Sequence, residues 1–438
     1  MSDTKRRSRR EFLRSSVLAA GAVAGGLSLQ RSVHAAGSDV LKFALIGCGG
    51  RGTGAAANCM NVQKLIGQPI RLVAVADAFE DRARGSLEGL KQAGYAEQMD
   101  VPADRVFVGL DAYRKAIACG VDLVVMATPP GFRPAQYAAA VEAGKHVFME
   151  KPCCTDAPGY RVLVEANKLA DQKKLKVVVG LQRHHEAGYI AGIREIHDGK
   201  LGKIQCLRVY WNGSGGGARD LGPRPRNAPD EMAFQVRNWG CFVWLYGDNI
   251  VEQHVHNLDV GNWVMAGGGD AQKAHPIEAN GMGGRVDPGN YGDIFDHHYV
   301  EFTYADGTKI FSQSRHIQGT WDHVSEFAHG TKGSRGVAVG GGPKLESDDA
   351  YDQEHVDLVK AIQKDLALNE GWFGAASSMT AVLGRMATYS GQVVSWEDAV
   401  ARGPSEAPER LAWDAKPRHL PGPDGRYPMP VPGVTRPY

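Results

Sequence analysis

The chain has 438 residues, with 50 Lys and Arg against 49 Asp and Glu, so it carries no global field of the kind that holds nucleic acid. It is too long for one ordinary hydrophobic core and implies two domains of a soluble globular protein. No apolar run approaches the ~20 residues needed to span a bilayer, which excludes a stable membrane anchor by length.

The N-terminal segment has three parts. Residues 5–14 are rich in Lys and Arg and contain Ser8-Arg9-Arg10-Glu11-Phe12-Leu13. Val17 to Leu29 is mildly apolar, and Val33-His34-Ala35 resembles a small-residue cleavage site. An Arg pair, Phe12 and an apolar stretch in that order read as a twin-arginine export signal over 1–36 and place the mature protein in the periplasm. The seven cysteines show no C-x-x-C spacing, and two are adjacent at Cys153-Cys154. This pattern suits reduced, buried thiols in a protein that folds before export.

From Val40 to Leu181, short apolar runs alternate with helical stretches. The runs are Val40–Ile46, Ile70–Ala76, Val106–Val108, Leu123–Ala127, His146–Met149 and Val177–Leu181. Pro134–Ala143 and Ala157–Lys173 are the clearest helices between them. Runs rich in Val, Ile and Ala separated by helices predict a parallel, doubly wound α/β sheet covered on both faces, a Rossmann domain over 38–182.

The second half, 183–400, changes character. Leu201–Asn212 reads as a strand. Residues 296–304 and 308–316 flank Ala305-Asp306-Gly307 and read as a hairpin. Further strands are expected over 323–330 and 334–339, then helices near 354–366 and 375–390. The sum is a second α/β domain with a large, mostly antiparallel open sheet. Residues 212–237 and 266–295 read as long irregular loops, a length usually tied to function. From Gly403 the tail carries nine of the 22 prolines and reads as an extended arm over 401–438 lying on another surface.

Gly47-Cys48-Gly49-Gly50-Arg51-Gly52 ends the first run and opens a helix-like segment, Thr53–Ile66. A G-x-G-x-x-G between strand and helix is the setting a dinucleotide turn requires. Gly47 permits the tight turn, Gly49 the approach of a pyrophosphate, and Gly52 close packing of helix on strand. The helix N-terminus adds free N–H groups and partial positive charge. Asp77, at the end of the second run, stands where a carboxylate would accept from ribose hydroxyls and repel a 2′-phosphate. NAD is therefore favoured over NADP, although Arg82 and Arg84 stand near. Thr128-Pro129 ends the fourth run and should face the same crevice.

Glu150-Lys151-Pro152 ends the fifth run, so Lys151 should reach the crevice and hydrogen-bond a substrate hydroxyl. Within Glu252-Gln253-His254-Val255-His256-Asn257-Leu258-Asp259, a helix would place Glu252, His256 and Asp259 on one face at i, i+4 and i+7. Two flanking carboxylates would orient His256 and raise its pKa. His254 and His256 would point to opposite sides of that helix, so no metal site is expected.

Together these residues resemble the glucose-fructose oxidoreductase / inositol dehydrogenase / rhizopine-catabolism (Gfo/Idh/MocA) family. The resemblance rests on Gly47–Gly52, Asp77, Thr128-Pro129, Ala143-Gly144-Lys145-His146-Val147 leading into Glu150-Lys151-Pro152, and Glu252…His256…Asp259. Lys200-Leu201-Gly202-Lys203-Ile204 adds the entry to the second sheet. It implies NAD(P)-dependent oxidation of a secondary hydroxyl of a sugar, sugar derivative or cyclitol by a homo-oligomer. It matches Lys151 and His256 to the catalytic Lys and His, with Glu252 standing where many members have Asp. Gly50, Arg51, Glu150 and Lys151 would join the cofactor contacts. Arg183, His184, Asn238 and Trp239 fall where substrate contacts are common. Two other readings stay open: a glycosidase or lyase using NAD transiently through a keto-sugar, and a non-catalytic sugar sensor. An exported enzyme would meet little free nicotinamide, so the cofactor is expected to stay bound and be recycled in place.

Overall fold

The computed structural model describes residues 40–213, 221–222, 224–225, 230–269, 271–287 and 289–438. The segment expected to be an export signal and the middle of the 212–237 stretch lie outside the described residues. Six short strands form the first sheet: β1 (Leu41–Ile46), β2 (Ile70–Asp77), β3 (Val106–Val108), β4 (Leu123–Met126), β5 (His146–Met149) and β6 (Val177–Val179). They lie in the order β3-β2-β1-β4-β5-β6 with every pair parallel. The strand order reverses at β1, and the crevice for a ligand opens there, at the carboxyl ends of β1 and β4.

Helices cover both faces because the central strands are apolar on both sides; all four residues of β4 are buried. On one face lie α3 (Ala112–Ile117), α4 (Arg133–Glu142) and α5 (Ala157–Gln172), inserting Tyr113, Tyr137 and Leu163. On the other lie α1 (Gly50–Ile66) and α2 (Glu80–Leu90). That face is completed from far along the chain by Val356, Leu358, Val359 and Ile362. They belong to a helix over Ala350–Gln363, which starts earlier than expected because Asp349 caps it by accepting from Tyr351 N.

After α6 (Ala187–His197) comes the first strand of the second sheet, β7 (Ile204–Asn212). The rest are β8 (Glu278–Gly284), β9 (His297–Thr303), β10 (Lys309–Arg315), β11 (His323–Gly330), β12 (Gly333–Gly336) and β13 (Val394–Ser395). The order is β12-β11-β7-β10-β9-β8-β13. Only β7 and β10 pair in parallel; the other pairs are antiparallel, including the expected hairpin of β9 and β10.

Residues 266–295 do not form one loop, because β8 runs through them. Its glycines disguise it in the sequence, and the sheet needs them. A Cβ on Gly281 would lie 2.5 Å from Tyr299 O, and one on Gly283 would lie 2.6 Å from His297 O.

Between β7 and β8 run six described helical segments: α7 (Glu231–Arg237), a 3₁₀ turn, Trp239–Cys241, α8 (Val243–Tyr246), α9 (Asn249–Glu252), α10 (Val255–Ala266) and a second 3₁₀ turn, Ala271–Lys273. The helix over Ala350–Gln363 is α11, followed by α12 (Gly371–Ser390) and α13 (Trp396–Arg402). Helix α12 is buried almost all round, as its small and apolar sequence requires. Gly374 lies against Cys153 and Val179 of the first sheet's layer, while Gly384 lies against Phe302 and Ile250 of the second. One helix thus joins the two layers.

The tail beyond Gly403 has no helix or strand and lies along the folded body, with Tyr427 buried. None of the seven cysteines forms a disulfide. Among the described residues no helix is long and apolar enough to cross a membrane.

Candidate active site

A cavity of about 560 Å³ opens at the carboxyl ends of the parallel strands. One end is the Gly47–Gly52 turn. Gly47 has φ +92°, and a Cβ there would lie 2.5 Å from Thr128 N. A Cβ on Gly52 would lie 1.9 Å from Gly47 O. These two glycines let β1, α1 and the end of β4 meet. Gly49 and Gly50 differ, because nothing lies within 4 Å of where their Cβ atoms would be. The open space faces the first turn of α1, whose N-cap Gly49 makes no side-chain cap. Unfilled volume beside uncapped N–H groups is the cradle a pyrophosphate needs, so the residues present fit a dinucleotide.

Asp77 ends β2 at the same cavity. Its Oδ2 accepts from Cys48 N at 2.7 Å and its Oδ1 from Phe79 N at 2.9 Å. The carboxylate therefore also ties β2 to the dinucleotide turn. Each oxygen keeps accepting capacity for a ribose hydroxyl. Burial pushes the Asp77 carboxyl up, and the two backbone N–H groups oppose that. Arg82 lines the cavity here, whereas Arg84 pairs with Glu80 on the surface. Thr128 and Pro129 line the wall, and Thr128 Oγ1 donates to Gln136 Oε1 at 2.6 Å.

At the other end Glu150 and Lys151 point different ways. Buried Glu150 takes Arg51 Nε at 2.6 Å, which fixes the Arg51 side chain of the turn against the end of β5. The Lys151–Pro152 bond is cis, and Pro152 O accepts from Arg133, a buried cavity residue. Lys151 Nζ donates to Glu252 O at 2.6 Å and to Glu252 Oε1 at 2.9 Å. An ammonium has three donors, so one is left for a ligand. Glu252 Oε2 is buried without a hydrogen-bond partner.

The expected helix over Glu252…His256…Asp259 is a correction. Helix α9 ends at Glu252, and α10 begins at Val255 after a break at Gln253-His254. The break turns the three side chains to different tasks. Glu252 takes Lys151. Asp259, wholly buried, accepts Ser377 Oγ at 2.8 Å and pairs with His184 Nε2 at 2.7 Å, anchoring α10. Only His256 remains, lining the cavity with its ring stacked on Trp211 at 5.7 Å. Without a carboxylate partner its pKa is not raised. Burial, then Lys151 and Arg183, hold it well below the ordinary histidine value. Its Nδ1 has no partner. His254 turns away and bonds Ser312 Oγ at 2.7 Å, and no described group of His, Cys, Asp and Glu could hold a metal.

Of the four residues expected near substrate, the structure places only Trp239 on the cavity wall. Arg183 is buried against Glu326 at 2.5 Å. His184 is stacked on Trp263 at 4.0 Å and bonded to Asp259. Asn238 Nδ2 donates to Phe234 O at 2.9 Å. These three support the wall rather than form it. The cavity adds Trp211, Arg133, Gln182, Gln253 and Tyr351. Trp211 had one usable signal, an aromatic residue at the end of a predicted strand. Tyr351 comes from α11 and had none.

Residues 41–181 match the Gfo/Idh/MocA oxidoreductase family in its NAD-binding Rossmann fold. This segment is an NAD-binding Rossmann fold. Among curated proteins, the chain is 31% identical over 227 residues to an inositol 2-dehydrogenase of Klebsiella pneumoniae (strain 342), covering 51% of this chain and 54% of that one. It is 25% identical over 267 residues to an inositol 2-dehydrogenase of Rhizobium meliloti (strain 1021), covering 60% and 67%. The chain thus spans about half the length of the first of these relatives. Among solved structures, scyllo-inositol dehydrogenase from Lactobacillus casei, with bound NAD(H) and scyllo-inositol, superposes with a TM-score of 0.59. It has 18% identity, with 82% of this chain and 99% of that one covered, and shows the same fold.

A Gly52→Ala change would drive a methyl into Gly47 O and deform the turn. We expect NADH affinity to fall at least about tenfold, measured by fluorescence titration, since one lost contact of ~1.4 kcal/mol already gives that factor. Affinity equal to wild type in a folded variant would contradict the cradle.

Proposed function

We propose that the protein oxidises a secondary hydroxyl of a sugar, sugar derivative or cyclitol, with NAD as the acceptor. The observation that carries this reading is one cavity lined both by the Gly49–Gly50 cradle and by Lys151 and His256. Names of relatives that act on inositol support a polyol as substrate. Bound NAD would supply the acceptor for the hydrogen leaving carbon.

The chain's own residues do the rest. The depressed pKa of His256 leaves its ring neutral near pH 7, so it can take the hydroxyl proton. The third donor of Lys151 meets the same oxygen and stabilises the negative charge that develops there. Glu252 holds two of the Lys151 donors and so fixes where the third points. Trp211 keeps the His256 ring plane and offers an apolar wall to the C–H face of a polyol ring. Buried Arg133 and Glu150 brace the segment that carries Lys151. For the first 36 residues we propose twin-arginine export, on the order of Arg9-Arg10, Phe12 and the apolar stretch.

Changing Lys151 to Ala should lower kcat by about 10²–10⁴-fold, the range such groups contribute, while NADH still binds. Turnover of inositols or aldose sugars at the wild-type rate would reject the assignment. The acid limb of kcat/KM should lie below pH 6.5, the ordinary histidine value, because a base with a depressed pKa stays unprotonated to lower pH. A limb above that value would mean His256 is not the base. Replacing Arg9 and Arg10 together by Lys should strand the protein in the cytoplasm, read by cell fractionation. Unaltered distribution would end the export reading.

A further inference from the structure

The adenosine end of the cleft is crossed by contacts that neither the glycine turn nor the catalytic pair explains. Phe79 stands two residues beyond Asp77 and lines the cavity. Arg237, at the end of α7 in the other half of the chain, also lines it. The Arg237 guanidinium lies 3.8 Å from the centre of the Phe79 ring. The same group grips Asp81 with two parallel bonds of 2.7 and 2.8 Å. Trp413, from the C-terminal arm, packs on Phe79 with ring centres 5.5 Å apart.

The arm also holds the helix that carries Arg237. Tyr427 OH donates to Glu231 Oε1 at 2.5 Å, and Gln235 Nε2 donates to His419 O at 2.8 Å. Glu231 and Gln235 are one helical turn apart in α7, so the arm grips α7 along one side. His419 is itself fixed by Asp293 at 2.8 Å. A continuous line of contacts therefore runs from the arm through α7 to Arg237, Phe79 and the loop after Asp77.

We propose that Arg237 and Phe79 contact the adenosine end of the bound dinucleotide and, braced by Trp413 and the arm, act as a clasp that retains it between turnovers. This rests on the NAD reading above. A planar guanidinium stacked over an aromatic ring leaves its own outer face and the ring edge as contact surface for a purine. A ligand leaving by this end must part Arg237 from Asp81 and Phe79 first. The Pro-rich tail thus becomes part of the cofactor site rather than a loose end.

The test is the release rate of NADH from the full-length protein, loaded with NADH and chased with excess NAD⁺ in a stopped-flow fluorimeter. Arg237→Ala and Trp413→Ala should each speed release, the first by about twofold to fivefold, as losing an exposed ion pair implies. Thermal unfolding of each variant checks that it is folded. Release at the wild-type rate from either folded variant would overturn the clasp. Wild type that takes up no NADH would remove the NAD reading itself, a different failure seen before any variant is made.

Discussion

The Lys151–Glu252 pair is the contact on which the site depends. It links the end of β5 in the first sheet's layer to the end of α9 in the second, and both side chains are nearly buried, at 11% and 12% exposure. Taking two charges out of water is costly and is offset only by good geometry and further hydrogen bonds. Here Glu252 meets Lys151 with a carboxylate oxygen and its backbone carbonyl together. Such a pair adds little net stability. What it contributes is a single position for the ammonium at the cavity wall. It also places a cation near His256, which together with burial keeps that imidazole neutral.

Two other features make that position possible. Helix α12 threads between the layers, and its small residues let Cys153 on one side and Phe302 on the other come close. The break at Gln253-His254 then separates Glu252 from His256. A continuous helix would have set a carboxylate beside the imidazole and favoured its charged form. The break gives each carboxylate another partner, Lys151 for Glu252 and His184 for Asp259. His256 is left without a carboxylate partner, with burial and the neighbouring cations holding its pKa down.

The parallel sheet, the dinucleotide turn and the β9–β10 hairpin were legible because their signals are local: apolar runs of strand length, glycines at fixed spacing and a turn tripeptide. Strand β8 was hidden because its glycines look like loop, and only Tyr299 and His297 across the sheet explain them. Lys151 and His256 were legible by type and position. The partners of Arg183 and His184 were not, since Glu326 lies 143 residues from Arg183 and Asp259 lies 75 from His184. A buried ion pair between distant segments leaves no local trace. The same holds for Tyr351, which lines the cleft, and for Trp413, which packs on Phe79 of its wall; both come from parts of the chain that show no dinucleotide pattern.

The cleft is cross-linked at both ends, and the two links differ in kind. At the reacting end the Lys151–Glu252 pair is desolvated, and removing one partner of such a pair typically costs about 3–5 kcal/mol. At the adenosine end the Arg237–Asp81 pair is 40% and 60% exposed, and exposed pairs contribute ~0–1 kcal/mol and weaken with salt. The buried pair is therefore the firmer constraint, and the exposed one the weaker and more salt-sensitive. Firm placement stands at the end that Lys151 and His256 line, and the weaker contact at the end beside Asp77.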